Sequence, residues 1–430
     1  MNDEKEKIKM RKKNMKLYPI YEMVGFDLLF FYGIKVLFLT QIVNITEADV
    51  LLGSSFYALF TMLLQIPVNM LANRLSARKL TIIGNIFNLI SITMIIFCKS
   101  FTMYIIEEFF SAVAFSLKNI SQTSILSHSI PKSRKKNEIF TKIHSRGYSK
   151  HCYAEAITTI IAGRLYDINE YIPMILCWIV VLFSIILSNA FYDIKEDENK
   201  HKKSKKGIKA YYKDVKTGFQ FIIKSNRLRG LLLMLGVMWG VISVAGTYEA
   251  ILLQEIDLSG TIIGLIFAFL SIAKGKIAKQ AHAANKKLKN RTLTVLGILL
   301  TFSFIISGGV ALFSIDRNIG VMFIIMAFLV EKGVHGIYQV LKPVYLNNFS
   351  NRKISPKIYS ANTIVTNLFK MTIGFIGSCF LGATDIKYSM LIFGSIFTLI
   401  ILLISKYMRS RVGLKPEEYK ETDVKFFVVE

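Results

Sequence analysis

The chain has 430 residues, of which 53% are hydrophobic and only 19% charged, and its mean hydropathy is +0.44. An ordinary soluble domain is about a quarter charged, so this composition argues against a soluble fold and for one embedded in lipid. The net charge of +25 would fit a nucleic-acid binder if the basic residues gathered on one folded surface, but they crowd the gaps between long uncharged stretches, so nucleic acid is not the expected partner.

A membrane-crossing helix needs about 20 mostly apolar residues. After a basic N-terminal segment, 1–16, the chain offers such stretches at 17–43, 50–72, 79–98, 102–127, 147–165 and 171–192. A polar interval, 193–228, follows. Within it Lys195–Lys209 carries both charge signs and little hydrophobicity, and Tyr211–Ile223 reads as an amphipathic helix lying on the membrane surface. Further stretches lie at 229–253, 260–278, 292–314, 319–346, 358–382 and 388–405, before a polar tail, 406–430. The expectation is an all-α integral membrane protein with twelve transmembrane helices in two six-helix bundles, 17–192 and 229–405, joined by a cytoplasmic linker.

The loops set the orientation. The N-terminus, the turn near Asn73–Lys79, the segments Pro131–Arg146, 193–229, Lys279–Arg291 and Asn351–Lys357, and the tail are all basic. They alternate with loops that hold only Lys99, Arg164, Arg317 and Lys387. Lys and Arg accumulate on the cytoplasmic side, so both termini are expected there, in a multi-pass protein of the bacterial cytoplasmic membrane. The basic start leads into an apolar run too long for a cleaved signal peptide. Cys98, Cys152, Cys177 and Cys379 are too scattered for a disulfide framework or a metal site, and no cofactor is expected.

One local pattern is specific. After the second stretch the chain reads Asn69-Met70-Leu71-Ala72-Asn73-Arg74-Leu75-Ser76-Ala77-Arg78-Lys79, and after the eighth Gly275-Lys276-Ile277-Ala278-Lys279-Gln280. The first resembles the G-x-L-A-D-R-x-G-R-K loop of the major facilitator superfamily, and the second a degraded copy in the matching place of the second half. Asn73 and Lys279 stand where that pattern has aspartate. Ala162–Asp167 with Tyr171–Met174, and Val412–Tyr419, resemble bacterial, drug-efflux-like members of the same superfamily. Thr158–Gly163 lacks the proline of the exporters' fifth-helix signature. The resemblance implies a monomeric carrier that moves a small molecule by alternating access, with Asn73, Arg74, Arg78 and Lys79 as its gate loop. It also implies that helices 1, 4, 7 and 10 are innermost and 3, 6, 9 and 12 face lipid.

The charges inside the spans agree with that arrangement. Spans 3, 6, 9 and 12 are essentially free of charge away from their ends, whereas spans 1, 4, 7 and 10 are all charged. Charged residues at membrane depth are by default functional. The candidates for solute or proton coupling are Asp27, Lys35, Lys118, Gln122, Glu155, Glu331, His335 and Lys370. Glu331, His335, Tyr338 and Lys342 recur at helical spacing on one face. Glu155 or Glu331 would carry a proton, since burial disfavours a carboxylate's charged form, and His335, one turn from Glu331, would share it. Asp27 and Lys35 are equally suited to a structural ion pair. Lys118 and Lys370 suit an anionic or zwitterionic solute. Lys274, Lys276 and Lys342 are expected to snorkel to the inner surface, and Glu107, Glu108 and Glu249 to sit at the outer interface. Trp239 suits packing and solute stacking equally.

No phosphate-binding G-x-x-x-x-G-K-[ST] loop is present, so an ATP-driven pump is not expected, and neither is an enzyme. The expectation is a secondary active transporter of a small solute, proton-coupled, with efflux as one direction. A nutrient or organic-anion uptake carrier and a non-transporting, transporter-like sensor are the alternatives.

Overall fold

The computed structural model describes residues 2–72, 74–131, 136–194, 216, 226–313, 317–348 and 355–409. The surface helix expected over 211–223 (apart from Lys216), Asn73 of the gate loop and the tail motif at 412–419 lie outside them.

The long helices are α1 (Asn2–Gly25), α3 (Glu47–Ala72), α4 (Ala77–Ile96), α5 (Phe101–Ser129), α6 (Lys136–Ile168) and α7 (Ile172–Asn189). They continue with α8 (Asn226–Glu255), α9 (Gly260–Ala278), α11 (Thr292–Leu312), α12 (Arg317–Asn348), α13 (Ser355–Ala383) and α14 (Ile386–Arg409). Two short helices complete the order, α2 (Lys35–Leu37) and α10 (Ala281–Leu288). From the second onward, each expected span coincides with one long helix. Nine of these helices among the described residues are long and apolar enough to cross a membrane. The other three, α1, α5 and α6, hold many of the first half's charges. Local sequence sets several helix starts: the Ser76 hydroxyl accepts from Lys79 N at 3.4 Å to cap α4, and Ser100 caps α5 through Met103 N at 3.3 Å.

The first span departs from expectation. It is a broken helix rather than a continuous one over 17–43. The basic N-terminal residues are helical and run unbroken into the apolar part, so α1 ends at Gly25. Residues 26–34 form turns, and the chain resumes as α2 followed by one π-helical turn, Phe38–Ile42. Phe30, inside the break, adopts φ 68°, which costs a bulky L-residue about 1–2 kcal/mol. The Asp27 carboxylate accepts the Leu28 N–H at 3.0 Å, giving the backbone a local alternative to the helix.

The helices form two compact units. The first comprises 1–45, 63–208 and 258–269. In it α4 packs on α5 and α7, and α1 on α6, α5 and α7. The second comprises 46–62, 209–257 and 270–430. In it α11 packs on α14 and α12, and α8 on α13 and α14. The early turns of α3 therefore group with the second unit, and the early turns of α9 with the first.

The Ala162–Asp167 motif has a packing role in the first unit. Gly163 lies directly against the Gly260 carbonyl, and a Cβ on Gly264 would stand 2.8 Å from the Thr159 carbonyl oxygen. Small residues let the backbones of α6 and α9 touch. One turn on, Asp167 Oδ2 accepts from Thr261 N at 3.0 Å and from Thr261 Oγ1 at 2.5 Å, capping α9 from a neighbouring helix. Gly163→Leu is expected to destabilise the purified protein by about 1–3 kcal/mol through overpacking. Gly246→Leu, where an added Cβ meets nothing within 4 Å, should leave the melting midpoint in detergent almost unchanged. Equal midpoints for the two variants would contradict this account of the contact.

Candidate functional site

A helix that ends inside a bilayer leaves carbonyl groups with no water to bind. At the end of α1, side chains of α5 and α6 take that role. Lys118 Nζ donates to the Gly25 carbonyl at 2.9 Å, and Gln122 Nε2 approaches the same oxygen at 3.5 Å. His151 Nδ1 lies 3.2 Å from the Met23 carbonyl oxygen. A cation at a helix C-terminus also meets the negative end of the helix dipole. Lys118 is only 3% exposed, so this bond gives a buried ammonium an acceptor that requires no solute. Asp27 sits just past the helix end, where His151 and Lys118 are the charges that bear on it most.

A second group lies between the resumed first span and α5. Lys35 Nζ contacts Glu108 Oε1 at 2.8 Å, and Tyr104, one turn before Glu108, donates to the same oxygen at 2.7 Å. Glu107 points elsewhere, as adjacent residues on a helix must, and accepts from the Ser91 hydroxyl of α4 at 2.5 Å. Lower in the same unit, Glu22 pairs with His144 Nδ1 at 2.9 Å.

In the second unit one lysine holds two acids. Lys332 Nζ is 2.6 Å from Glu249 Oε2 on α8 and 2.9 Å from Glu331 Oε2 on its own helix. Both glutamate side chains are 2% exposed. When both are ionised the group carries one uncompensated negative charge in a dry interior, an arrangement that a single proton removes. One to three turns along α12, His335 meets the edge of Trp239 at a centroid distance of 6.0 Å, and Tyr338 stacks on Trp239 at 5.8 Å.

The sequence-derived candidates are therefore divided among several places. Lys35 does not pair with Asp27; Glu108 is the partner of Lys35. Lys118 and Gln122 converge, on a backbone oxygen. Glu331 and His335 do not converge: Glu331 turns to Lys332, and His335 to Trp239 and to Gln339 Nε2, 3.3 Å from its Nε2. Lys370 holds its ammonium 4.7 Å from the Tyr57 ring centroid. The Glu155 carboxylate is half-buried and has no hydrogen-bond or ion-pair partner among the described residues. In the gate loop Arg74 and Lys79 are exposed, and the Arg78 backbone N–H donates to Asp193 Oδ1 at 3.3 Å.

Four of the residues that matter in this geometry were not among the candidates. Glu107, Glu108 and Glu249, expected at the outer interface, are 2%, 3% and 2% exposed. Lys332 was passed over beside Glu331. The Tyr104–Glu108 spacing was a readable signal. The pairing of Glu249 with a lysine on another helix had none. Lys342, expected to snorkel to the inner surface, holds its ammonium over Trp239. Among the described residues no group of three His, Cys, Asp or Glu could hold a metal ion.

Removing the shared lysine alone strands two buried carboxylates. Lys332→Met is expected to cost about 3–5 kcal/mol of stability. The triple change with Glu249→Gln and Glu331→Gln should restore most of it, read as the melting midpoint in detergent. A triple variant no more stable than Lys332→Met would refute the charge account.

The Major Facilitator Superfamily profile matches residues 18–330. Among solved structures, the nucleoside transporter NupG superposes with a TM-score of 0.71 at 9% identity, covering 93% of this chain and 99% of that one. A bacterial homolog of the human lysosomal transporter Spinster, inward-facing and unoccupied, gives 0.67 at 13% identity, with 94% and 98% covered. A POT family transporter in complex with 5-aminolevulinic acid gives 0.64 at 12% identity, with 94% and 96% covered. No curated protein matches the sequence. Identities this low carry the fold and nothing finer, while the profile covers well over half of the chain. With its all-helical fold and its charges buried between helices, the chain belongs to the Major Facilitator Superfamily of membrane transporters.

Proposed function

We propose that this protein is a proton-coupled secondary transporter in which Glu249 and Glu331 share the coupling proton around Lys332. The observation that carries the reading is the ratio of charges: two carboxylates, each 2% exposed, within 2.9 Å of one ammonium. In a low-dielectric interior such a group is neutral with one proton bound and charged without it. A conformational cycle that exposes the group to each side in turn converts that difference into coupling. Glu155 stays as a third carboxylate of interest, at a separate place, since nothing among the described residues neutralises it. The bundles 17–192 and 229–405 would be the moving parts, with both termini cytoplasmic, in keeping with the Lys/Arg asymmetry of the loops.

The test is proton flux in proteoliposomes carrying an internal pH dye, challenged with drugs, sugars, amino acids and organic anions. A compound that moves protons with wild type identifies the solute class, and the sign of the movement separates uptake from export. Glu331→Gln and Glu249→Gln are each expected to lower solute-driven proton flux by at least about tenfold, the scale of losing one essential proton carrier. Solute exchange without a gradient should persist, because a permanently neutral group still permits the cycle. Glu155→Gln run in parallel separates the two sites. Solute flux indifferent to a pH gradient and to both Glu249→Gln and Glu331→Gln would overturn the proposal.

A further inference from the structure

The polar face of α12 continues beyond the acidic group, and the chemistry there is opposite in sign. Trp239 and Tyr338 lie with their planes 10° apart. The Tyr338 hydroxyl donates to the Leu235 carbonyl at 2.8 Å, which fixes one ring between two helices. His335 closes the edge of Trp239 at 76°. Lys342 Nζ stands 5.2 Å from the Trp239 centroid and 5.9 Å from that of Tyr338. Gln339, between His335 and Lys342, is exposed. The large apolar side chains Met322, Met326 and Val330 are also exposed, and at helical periodicity they occupy the opposite face. The aromatic wall and its polar groups therefore do not share the surface of α12 best suited to lipid.

Charge decides what such a wall would hold. Among the described residues Lys342 has no carboxylate partner, and its contacts are the two ring faces. Ring faces attract a cation, by about 0.5–2 kcal/mol, but do not neutralise it. The nearest acids on this stretch, Glu249 and Glu331, are engaged by Lys332. The charges that bear on His335 are Lys274 and Lys332, both positive. An ammonium above parallel aromatic planes, beside an exposed amide, is complementary to a flat ring carrying an anionic group.

We infer that Trp239, Gln339 and Lys342 form the binding site for a planar aromatic carboxylate, its ring against the indole and its carboxylate on Lys342, while the fully buried Tyr338 backs the indole from behind. This deepens the transporter reading by naming a solute class, and it rests on that reading only for the claim that the bound molecule is carried. Binding itself is independent of proton coupling.

The chain contains two tryptophans, so Trp178→Phe leaves Trp239 as the sole indole reporter. The full-length protein in a maltoside detergent would be titrated at fixed pH with benzoate, nicotinate, nicotinamide and cyclohexanecarboxylate. Saturable quenching by benzoate and nicotinate is expected. The neutral amide and the saturated ring should bind at least about tenfold more weakly, the weight of one charge-assisted or stacking contact. Lys342→Gln should erase the preference for nicotinate over nicotinamide, and Lys342→Arg should keep it. Equal binding of acid and amide, an unchanged preference in Lys342→Gln, or no quenching by either aromatic carboxylate in protein shown folded by circular dichroism would overturn the inference. Intact binding with proton flux indifferent to Glu331→Gln would instead sink the coupling proposal and leave this site standing.

Discussion

Hydrocarbon offers no solvent for a charge or a carbonyl, and much of the interior of this protein follows from that constraint. Each unit buries acids and supplies fewer lysines than acids close by. In the first, Glu107 and Glu108 share the neighbourhood of Lys35. In the second, Glu249 and Glu331 share Lys332. Both groups lie between the first and fourth spans of their half of the sequence. Hydroxyls help in the first, where Ser91 and Tyr104 each donate to a carboxylate. Bonds of this kind stabilise an ionised acid without adding a charge. The second group relies on the ammonium itself.

The same constraint explains the broken first span. Irregular backbone is tolerated at membrane depth only where protein satisfies it, and here Lys118, Gln122 and His151 are aimed at the carbonyls that α1 leaves open. From sequence alone Lys118 and Gln122 look like ligands for a solute. What could not be read is that the partner is the backbone of another helix.

That distinction marks how far the sequence was legible. The spans follow from apolar length, and the all-helical fold and family follow from span number, loop charge and the Arg74–Lys79 pattern. The break at 26–34 was hidden because its residues, Phe26 to Ile34, are as apolar as a helix. Within helices, periodicity placed Glu331, His335, Tyr338 and Lys342 on one face, and they are on one face; it could not say that Glu331 would lean to Lys332 while His335 turned to Trp239. Pairings between helices, such as Lys35 with Glu108 or Glu249 with Lys332, leave no trace in a single sequence, since residues far apart in the chain carry no register. Interior polar positions are thus readable one helix at a time, and their partners only from the fold.

The order in which these partners occur along the chain bears on how the protein enters the membrane. During synthesis a helix is offered to the bilayer before its later neighbours exist, and each ionised residue at its centre opposes insertion by about 2.5–3.5 kcal/mol. In the first half the lysine comes first: Lys35 is already synthesised when Glu108 follows 73 residues later. In the second half the acid comes first, and Glu249 must wait on α8 until α12 brings Lys332. The strongly apolar remainder of α8 is what lets it tolerate that interval.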